Sequence, residues 1–499
     1  MTVLNKLITI FTILNISLAH IKNMNNLIYT LQNLWETRRK TMIGIIALIV
    51  FILVGGLFVL LVPQNERPIL QSVDPNIPRD KVEIVWWKPR FPQINSATYR
   101  EVISLFEKQN PNVKIKIIDK TYGQDYYREL ISAMARGEGP DIFSIYNNDL
   151  QAYLPYIIPI DAFQTVSPTS GKRHIELYKR DFVDIVVRDT IVQDQVYGVT
   201  SYVDNLQLYV NRDLLNQAGI ALPARTWEDL LVQVPALTQR NQFNDTFERS
   251  AISLGTGSNV NNTLSNIDRH HEIIPLLIFQ KGNPIYDFVN KKSVLGSNFE
   301  AALEAINFYY SFADFRSNNY TWNNKSPNNI EAFTSGRLAY LIHYSYLEPQ
   351  IQQRNPRLNY EVVPIPQFNP NNKKTFGFFY MDVVNRQVAQ NRAKKYWVDQ
   401  LLLYLSQTEQ QTNIAAKSGL PGARRDVINE QLKGDRKKQI FAEGALIADS
   451  YYRPDIEKTQ EIWSQMLYEV HFEGKNTKDA FRQAINKYNA IIANGPKIR

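Results

Sequence analysis

Few residues in this chain are arranged to run covalent chemistry. It contains no cysteine, which excludes thiol catalysis, disulfides and cysteine metal sites whatever the redox state around it. Its six histidines are His20, His174, His270, His271, His343 and His471, and no pair has the i, i+4 spacing of a His-Glu-x-x-His zinc helix. Adjacent His270 and His271 would point to different faces of any regular element, which predicts a solvated surface. No Gly-x-Ser-x-Gly elbow, P-loop or Gly-x-Gly-x-x-Gly turn occurs. A hydrolase would need a nucleophile with its base, a metal cluster or two carboxylates across a cleft; no motif supplies one, so no catalytic residue, metal ligand or cofactor is assigned. The chemistry on offer is recognition. Trp87, Lys88 and Arg90 fall together, as do Tyr146, Asn147, Asn148 and Asp149: rings, amides and charges that can hold a small polar ligand.

The elements around these clusters aim them at one place. Val82, Ile84 and Trp86 alternate with Glu83 and Val85, a strand ending at Trp87 to Arg90. Tyr99, Val102, Ile103 and Phe106 form a helical stripe that stops before Asn110-Pro111. Val113, Ile115 and Ile117 alternate with Lys114 and Lys116 as a second strand. Tyr127, Leu130, Ile131 and Met134 mark a second helix, with Gly137 suited to its C-cap. Asp141 to Ile145 is a third strand. This β-α-β-α-β order predicts an α/β fold with a parallel sheet and right-handed crossovers. Ligands bind beyond the carboxyl ends of such strands, where both clusters lie.

Upstream, Met42 to Val62 is a charge-free apolar run of 21 residues directly after Arg38, Arg39 and Lys40. It is long enough to cross a hydrocarbon core of ~30 Å as a helix. The basic flank predicts a single-pass anchor with its N-terminus, 1–41, in the cytoplasm and the rest outside. No small-x-small cleavage site follows Leu61, which argues against a removed signal, and a lipoprotein needs the cysteine the chain lacks. Pro63, Pro68, Pro75 and Pro78 make 63–80 a semi-rigid spacer. With 44% hydrophobic and 21% charged residues, the remainder is ordinary globular protein large enough for two domains. Residues 1–41 carry +4 of the total +8 charge; the +4 left beyond the anchor is too mild to imply nucleic-acid binding.

A longer series of motifs is more specific. Gly139 to Phe143, Val196 to Val199, Tyr202 to Leu215, Ala218-Gly219-Ile220, Pro223 and Thr226 to Leu230 follow in order. Ala332-Phe333 to Tyr340, Val362 to Pro366, Gly419 to Arg425 and Ser464 to Ile492 continue it. In order and spacing the series resembles the extracellular solute-binding proteins of ABC importers, the family that includes maltose-binding and other sugar-binding proteins, over essentially all of 81–495. The resemblance implies a periplasmic-binding-protein-like, type II fold: two α/β lobes, 81–201 plus 374–421 and 205–365 plus 426–495, closing on a ligand. Crossings near Val203, Pro366 and Gly422 would form the hinge, since few residues there absorb the rotation.

The resemblance also carries site residues. It places Asp204 at a hinge-region acid facing sugar hydroxyls, where a carboxylate is a strong polyol reader; an exposed hinge acid is the alternative. It makes Lys88, Arg90 and Asn147 to Asp149 polar ligand contacts, Tyr344 and Tyr346 stacking aromatics, and Trp463 a neighbour of another such position. Trp87 and Tyr146 are candidate ligand contacts from the two clusters aimed at the cleft, and Tyr202 and Arg424 are candidates on segments of the series. Rings suit sugars because pyranose C–H faces are apolar and rims polar. Trp227 is expected to pack in the core, and Asp141 to hold backbone rather than ligand. Where many sugar binders have glycines, this chain has Phe376-Gly377-Phe378-Phe379-Tyr380, so Phe379 and Tyr380 could narrow the cleft or add a stacking wall. The implied partners are a mono- or oligosaccharide and ABC permease subunits, with the protein monomeric. An anchored sensor of the same fold, and a membrane-anchored hydrolase, are the alternatives.

Overall fold

The computed structural model describes residues 29–30 and 78–495, apart from 92, 122 and 257–265. The expected anchor 42–62, nearly all of the segment 1–41 and most of the spacer 63–80 lie outside the described residues. No helix among the described residues is long and apolar enough to cross a membrane. The chain divides into a unit Met1–Ile77 and a unit Pro78–Arg499, and every described strand belongs to the second.

Strand β1 (Val82–Pro89) runs parallel to β2 (Val113–Lys120), with Val82 opposite Val113, and to β3 (Ile142–Tyr146), with Trp86 opposite Ile142. Between β1 and β2, helix α1 (Ser96–Gln109) buries Tyr99, Val102, Ile103 and Phe106, the stripe expected from the sequence. It begins at a capping box, Asn95 with Thr98, which satisfies two orphan amide donors. Helix α2 (Gln124–Ala135) is followed by Gly137 at φ +75°. The short strands β4 (Ile157–Ile158) and β5 (Gly198–Val199) join the same sheet.

Further along the chain come β6 (Asp204–Asn205), β7 (Gln207–Asn211), β8 (Gln239–Asn241), β9 (Thr246–Ile252) and helices α3 (His270–Gln280) and α4 (Phe299–Ser311). Then follow β10 (Leu338–His343), β11 (Tyr360–Val363), β12 (Thr375–Phe378), β13 (Tyr380–Asn385), β14 (Ala448–Asp449) and α5 (Ile456–Phe472). A second sheet has the order β8-β9-β10-β7-β11. Every residue of β7 and β10 is buried, so these strands lack a solvent face. Helix α3 is likewise buried along its whole length and packs against α4 and α5. A helix apolar all round belongs in an interior. His270 and His271 begin this helix and are buried, at 5% and 9% exposure. The expectation of a solvated pair is therefore corrected: His270 Nε2 meets Ser464 Oγ at 2.9 Å and His271 Nε2 meets Gln460 Nε2 at 3.0 Å, both on α5, which covers the helix start.

Strand β13 returns to the first sheet antiparallel to β3, with Tyr380 opposite Tyr146, so that sheet is mixed rather than purely parallel. The segments between the two sheets lie side by side. β6 pairs with β12, placing Asp204 opposite Phe378, and β12 pairs with β14. Tyr202 bridges Gly422, and Val203 N donates to Pro421 O at 3.0 Å. A Cβ on Gly377 would stand 2.7 Å from Ala448 Cβ and 3.1 Å from Ile185 Cδ1. Only glycine lets β12 pass that closely.

Candidate functional site

A cavity of about 230 Å³ opens at the carboxyl end of β3. Tyr146 and Tyr380 line it from the first sheet and Tyr127 from helix α2. Arg269, His271 and Glu272, at the start of α3, face them with Arg453 and Gln460. Strand β3 ends at Tyr146, which leaves its ring at the edge where α/β sheets hold ligands. Tyr127 braces the ring from behind: its hydroxyl accepts from Tyr146 N at 3.1 Å and donates to Asp149 Oδ2 at 3.0 Å. On the other side Arg269 has φ +68°, left-handed backbone immediately before the helix. A non-glycine residue held there costs conformational energy, and such residues cluster at ligand sites.

The polar groups of this cavity centre on Glu272, which is 1% exposed. Tyr146 Oη donates to Glu272 Oε1 at 3.3 Å, bridging the two sides. Arg453 Nη1 stands 3.7 Å from the same oxygen. Glu272 Oε2 makes no hydrogen bond among the described residues, and its ion pair with Arg269 Nη1 is 3.7 Å long. The Arg453 guanidinium lies 5.2 Å from the Tyr146 ring centre and 5.8 Å from that of Phe376. The Asn148 amide is oriented so that it accepts from Arg453 Nη2 at 3.0 Å and donates to Tyr451 O at 2.7 Å. Burial, reinforced by His270 and the nearby guanidinium groups, holds His271 well below its usual pKa, so its ring is neutral. Its Nε2 lies 3.0 Å from Gln460 Nε2. Burial pushes the Asp149 carboxyl up to about 7, against the opposing Tyr127 hydrogen bond.

Of the residues singled out in the sequence, Tyr146 and Tyr380 line this cavity. Asn148 and Asp149 stand one hydrogen bond behind it. Tyr344 and Tyr346 stack on each other at 5.6 Å, and both rings meet Phe378 edge-on. Phe378 in turn stacks on Tyr146 at 5.5 Å, and Tyr202 joins through its hydroxyl, which accepts from Tyr380 N at 3.3 Å. One aromatic wall thus runs between the sheets, with Phe379 wholly buried beside it.

Other side chains have different employment. Lys88 is buried and pairs with both Asp382 oxygens at 2.9 Å, its ammonium 4.5 and 4.4 Å from the Trp86 and Tyr99 ring centres. Burial lowers its pKa against the pull of Asp382. Trp87 packs under Lys120, whose ammonium is 3.7 Å from the ring centre, and Arg90 is exposed. Asn147 Nδ2 donates to Asp189 Oδ2 at 2.7 Å. Arg424 is tied to Asp181 and Asp426. Trp463 is 1% exposed and donates to Tyr451 Oη at 3.0 Å. None of these six lines the cavity.

Asp204 is not the exposed acid offered as an alternative: it is 1% exposed. Its carboxylate accepts the amides of Ser345 at 3.0 Å, Tyr346 at 3.2 Å and Asn205 at 2.8 Å. It fixes the turn that carries Tyr344 and Tyr346. Burial nevertheless pushes this carboxyl up to about 6.

Arg269, His271, Glu272 and Arg453 were missed in the sequence. Their signal was faint but present: Asp268 to Glu272 is a string of charged and ring-nitrogen side chains abutting the run Ile273 to Phe279, so a polar helix start had to meet the interior.

The chain is 22% identical over 403 residues to a binding protein of Brucella abortus, covering 79% of this chain and 89% of that protein. Its fold is similar to that of a cyclic α-maltosyl-1,6-maltose binding protein from Arthrobacter globiformis, with a TM-score of 0.66, 14% identity and coverage of 83% of this chain and 100% of the other. It is also similar to that of UgpB from Mycobacterium tuberculosis, solved in complex with glycerophosphocholine, with a TM-score of 0.63, 16% identity and coverage of 83% and 99%. Residues 101–442 match the profile of one family, and with the two-sheet fold and a cavity between the sheets they show that the chain belongs to the bacterial extracellular solute-binding proteins.

Proposed function

We propose that this chain is a membrane-anchored extracellular binding protein that captures a small carbohydrate between two lobes, leaves it chemically unchanged, and delivers it to the permease subunits of an ABC importer. The lobes are 81–201 plus 374–421 and 205–365 plus 426–495. The reading rests on the cavity around Glu272. Rings of Tyr146 and Tyr380 offer apolar faces, while guanidinium donors and a carboxylate oxygen without a hydrogen bond offer complementary partners for hydroxyl groups. One fold relative is a cyclic α-maltosyl-1,6-maltose binding protein and another was solved in complex with glycerophosphocholine, so the fold alone does not choose. Glu272 bears on the choice, because its Oε2 makes no hydrogen bond among the described residues and a hydroxyl can donate to it. A volume of about 230 Å³ is below the roughly 300–1,000 Å³ of drug-sized sites, which fits one sugar ring better than a long chain. A ligand held between Tyr146 and Glu272 would add contacts to both sides of the cleft and so favour the closed arrangement that the permease reads.

A carbohydrate panel screened by thermal shift is the test, since a ligand bound only by the native state raises its apparent stability. Glu272→Gln should weaken the hit roughly ten- to a hundred-fold, the worth of a hydrogen bond to a charged group. No stabilising sugar, or release of an altered product, would overturn the reading. The anchor is supported by the charge-free run Met42 to Val62 and its basic flank. Protease added to intact cells should remove the binding unit; full protection would exclude this topology.

A further inference from the structure

Arg188 stands on the helix Asp184–Thr190 and engages every nitrogen of its guanidinium. Nε donates to Asp189 Oδ1 at 2.8 Å, Nη2 donates to Ser450 Oγ at 2.7 Å, and Nη1 pairs with Asp449 Oδ1. Lys374 Nζ donates to the other Asp449 oxygen at 3.1 Å. Ser450 Oγ donates in turn to Asp189 Oδ2 at 2.7 Å, and the same oxygen accepts from Asn147 Nδ2 at 2.7 Å. The guanidinium also lies 4.5 Å from the Phe288 ring centre. Burial pushes the Asp449 carboxyl up, but Arg188 and Lys374 together outweigh it and hold the group below its usual pKa, so it is ionised at neutral pH. Both ends of the Arg188–Asp449 pair are largely covered, and covered pairs are screened little by salt.

The partners come from both proposed lobes. Arg188, Asp189, Asn147 and Lys374 fall within 81–201 plus 374–421, whereas Phe288, Asp449 and Ser450 fall within 205–365 plus 426–495. Asn147 directly follows Tyr146, and Asp449 and Ser450 begin the segment that ends at Arg453. The network therefore holds the roots of two residues that line the cleft cavity, whose side chains meet with the Arg453 guanidinium 5.2 Å from the Tyr146 ring centre. It is formed in the same arrangement in which Tyr146 Oη donates to Glu272 Oε1 across the cleft. Contacts present in one arrangement and lost in another favour the first.

We propose that Arg188 is a positioning residue for solute capture, clasping the two lobes so that the closed arrangement is populated before any ligand arrives. A smaller closed fraction weakens capture in proportion. Arg188 has this role only in the two-lobed protein proposed for the whole chain, whatever the cleft ligand is. The chain has no cysteine, so Arg128→Cys on α2 and Glu461→Cys on α5, both exposed and each next to a cavity residue, accept nitroxide labels at those two sites alone. Double electron–electron resonance then reads the distance across the cleft in the full-length chain without ligand. Arg188→Met and Asp449→Asn should each move the distribution to longer distances, by more than about 2 Å in the mean. Lys179→Ala, which breaks an ion pair with Asp194 inside one lobe, should leave it unchanged. The unfolding midpoint of each variant reports whether it folds, and Asp449→Asn, which keeps the side chain's shape, decides if Arg188→Met does not. Unchanged distances in the folded clasp variants, or an equal shift in Lys179→Ala, overturn the proposal. No sugar enters the measurement, so an unmoved distance rejects the clasp and leaves the carbohydrate screen to judge the ligand.

Discussion

Replacing Asp204 by asparagine separates two opposing roles of one carboxylate. In the native structure it accepts three backbone amides, from Asn205, Ser345 and Tyr346, yet burial raises it from 3.8 to about 6. A raised acid favours folding most when protonated, so its contribution is complete below the unfolded value near 3.9 and is lost as pH rises through about 6. A shift of about two units is worth about 3 kcal/mol. Asparagine does not titrate, and with a single acceptor oxygen it loses one or two amide bonds, about 1 kcal/mol each. Wild type should therefore melt above Asp204→Asn at pH 4, and the gap should close or invert by pH 7. At about 2.1 cal/mol/K per residue over about 420 residues, 3 kcal/mol corresponds to a relative change of about 3 °C, measurable by differential scanning calorimetry. Asp204→Ala leaves the Ser345 and Tyr346 amides without this acceptor and should lower stability throughout. Parallel pH profiles for wild type and Asp204→Asn would refute the reasoning, because the carboxyl would then have the same affinity for protons folded and unfolded.

Two further substitutions test how the frame holds the site. Lys88→Met strands Asp382 with only Trp86 Nε1 and Ser144 Oγ as donors; removing one partner of a buried pair costs about 3–5 kcal/mol, and urea unfolding should show it. Gly377→Ala forces a methyl to 2.7 Å from Ala448 Cβ, an overpacking cost of about 1–3 kcal/mol; an unchanged urea midpoint would mean β12 can shift away from β14.

What was legible in the sequence was whatever repeats locally. The alternation through Val82, Ile84 and Trp86 and the stripe Tyr99 to Phe106 gave β1 and α1 nearly to the residue, because one covered face imposes its period on the chain. Trp227 was expected in the core and is there, donating to Gln280 Oε1 at 2.6 Å. Asp141 was expected to hold backbone and does, accepting Val85 N at 2.8 Å. Strand β13 is legible only through the resemblance, as the strand that returns to the first lobe, because its six residues are all buried and a two-sided strand shows no alternation.

The charged residues were read least well, and for one physical reason. A lysine at the end of a strand looks the same in sequence whether it faces water or a carboxylate, and Asp382 lies 294 positions from Lys88. Likewise Glu272 gains its meaning from Tyr146, 126 positions away, and from Arg453. A buried charge is tolerated only with its partners, so its position is a statement about the pair, and only the closed fold brings the pair together. The same rule sorts the site: Lys88 and Arg424 have their partners already, whereas Glu272 still has an oxygen without a hydrogen bond. In a protein built to hold a solute, the groups whose hydrogen bonds the fold leaves incomplete are the ones the solute must complete.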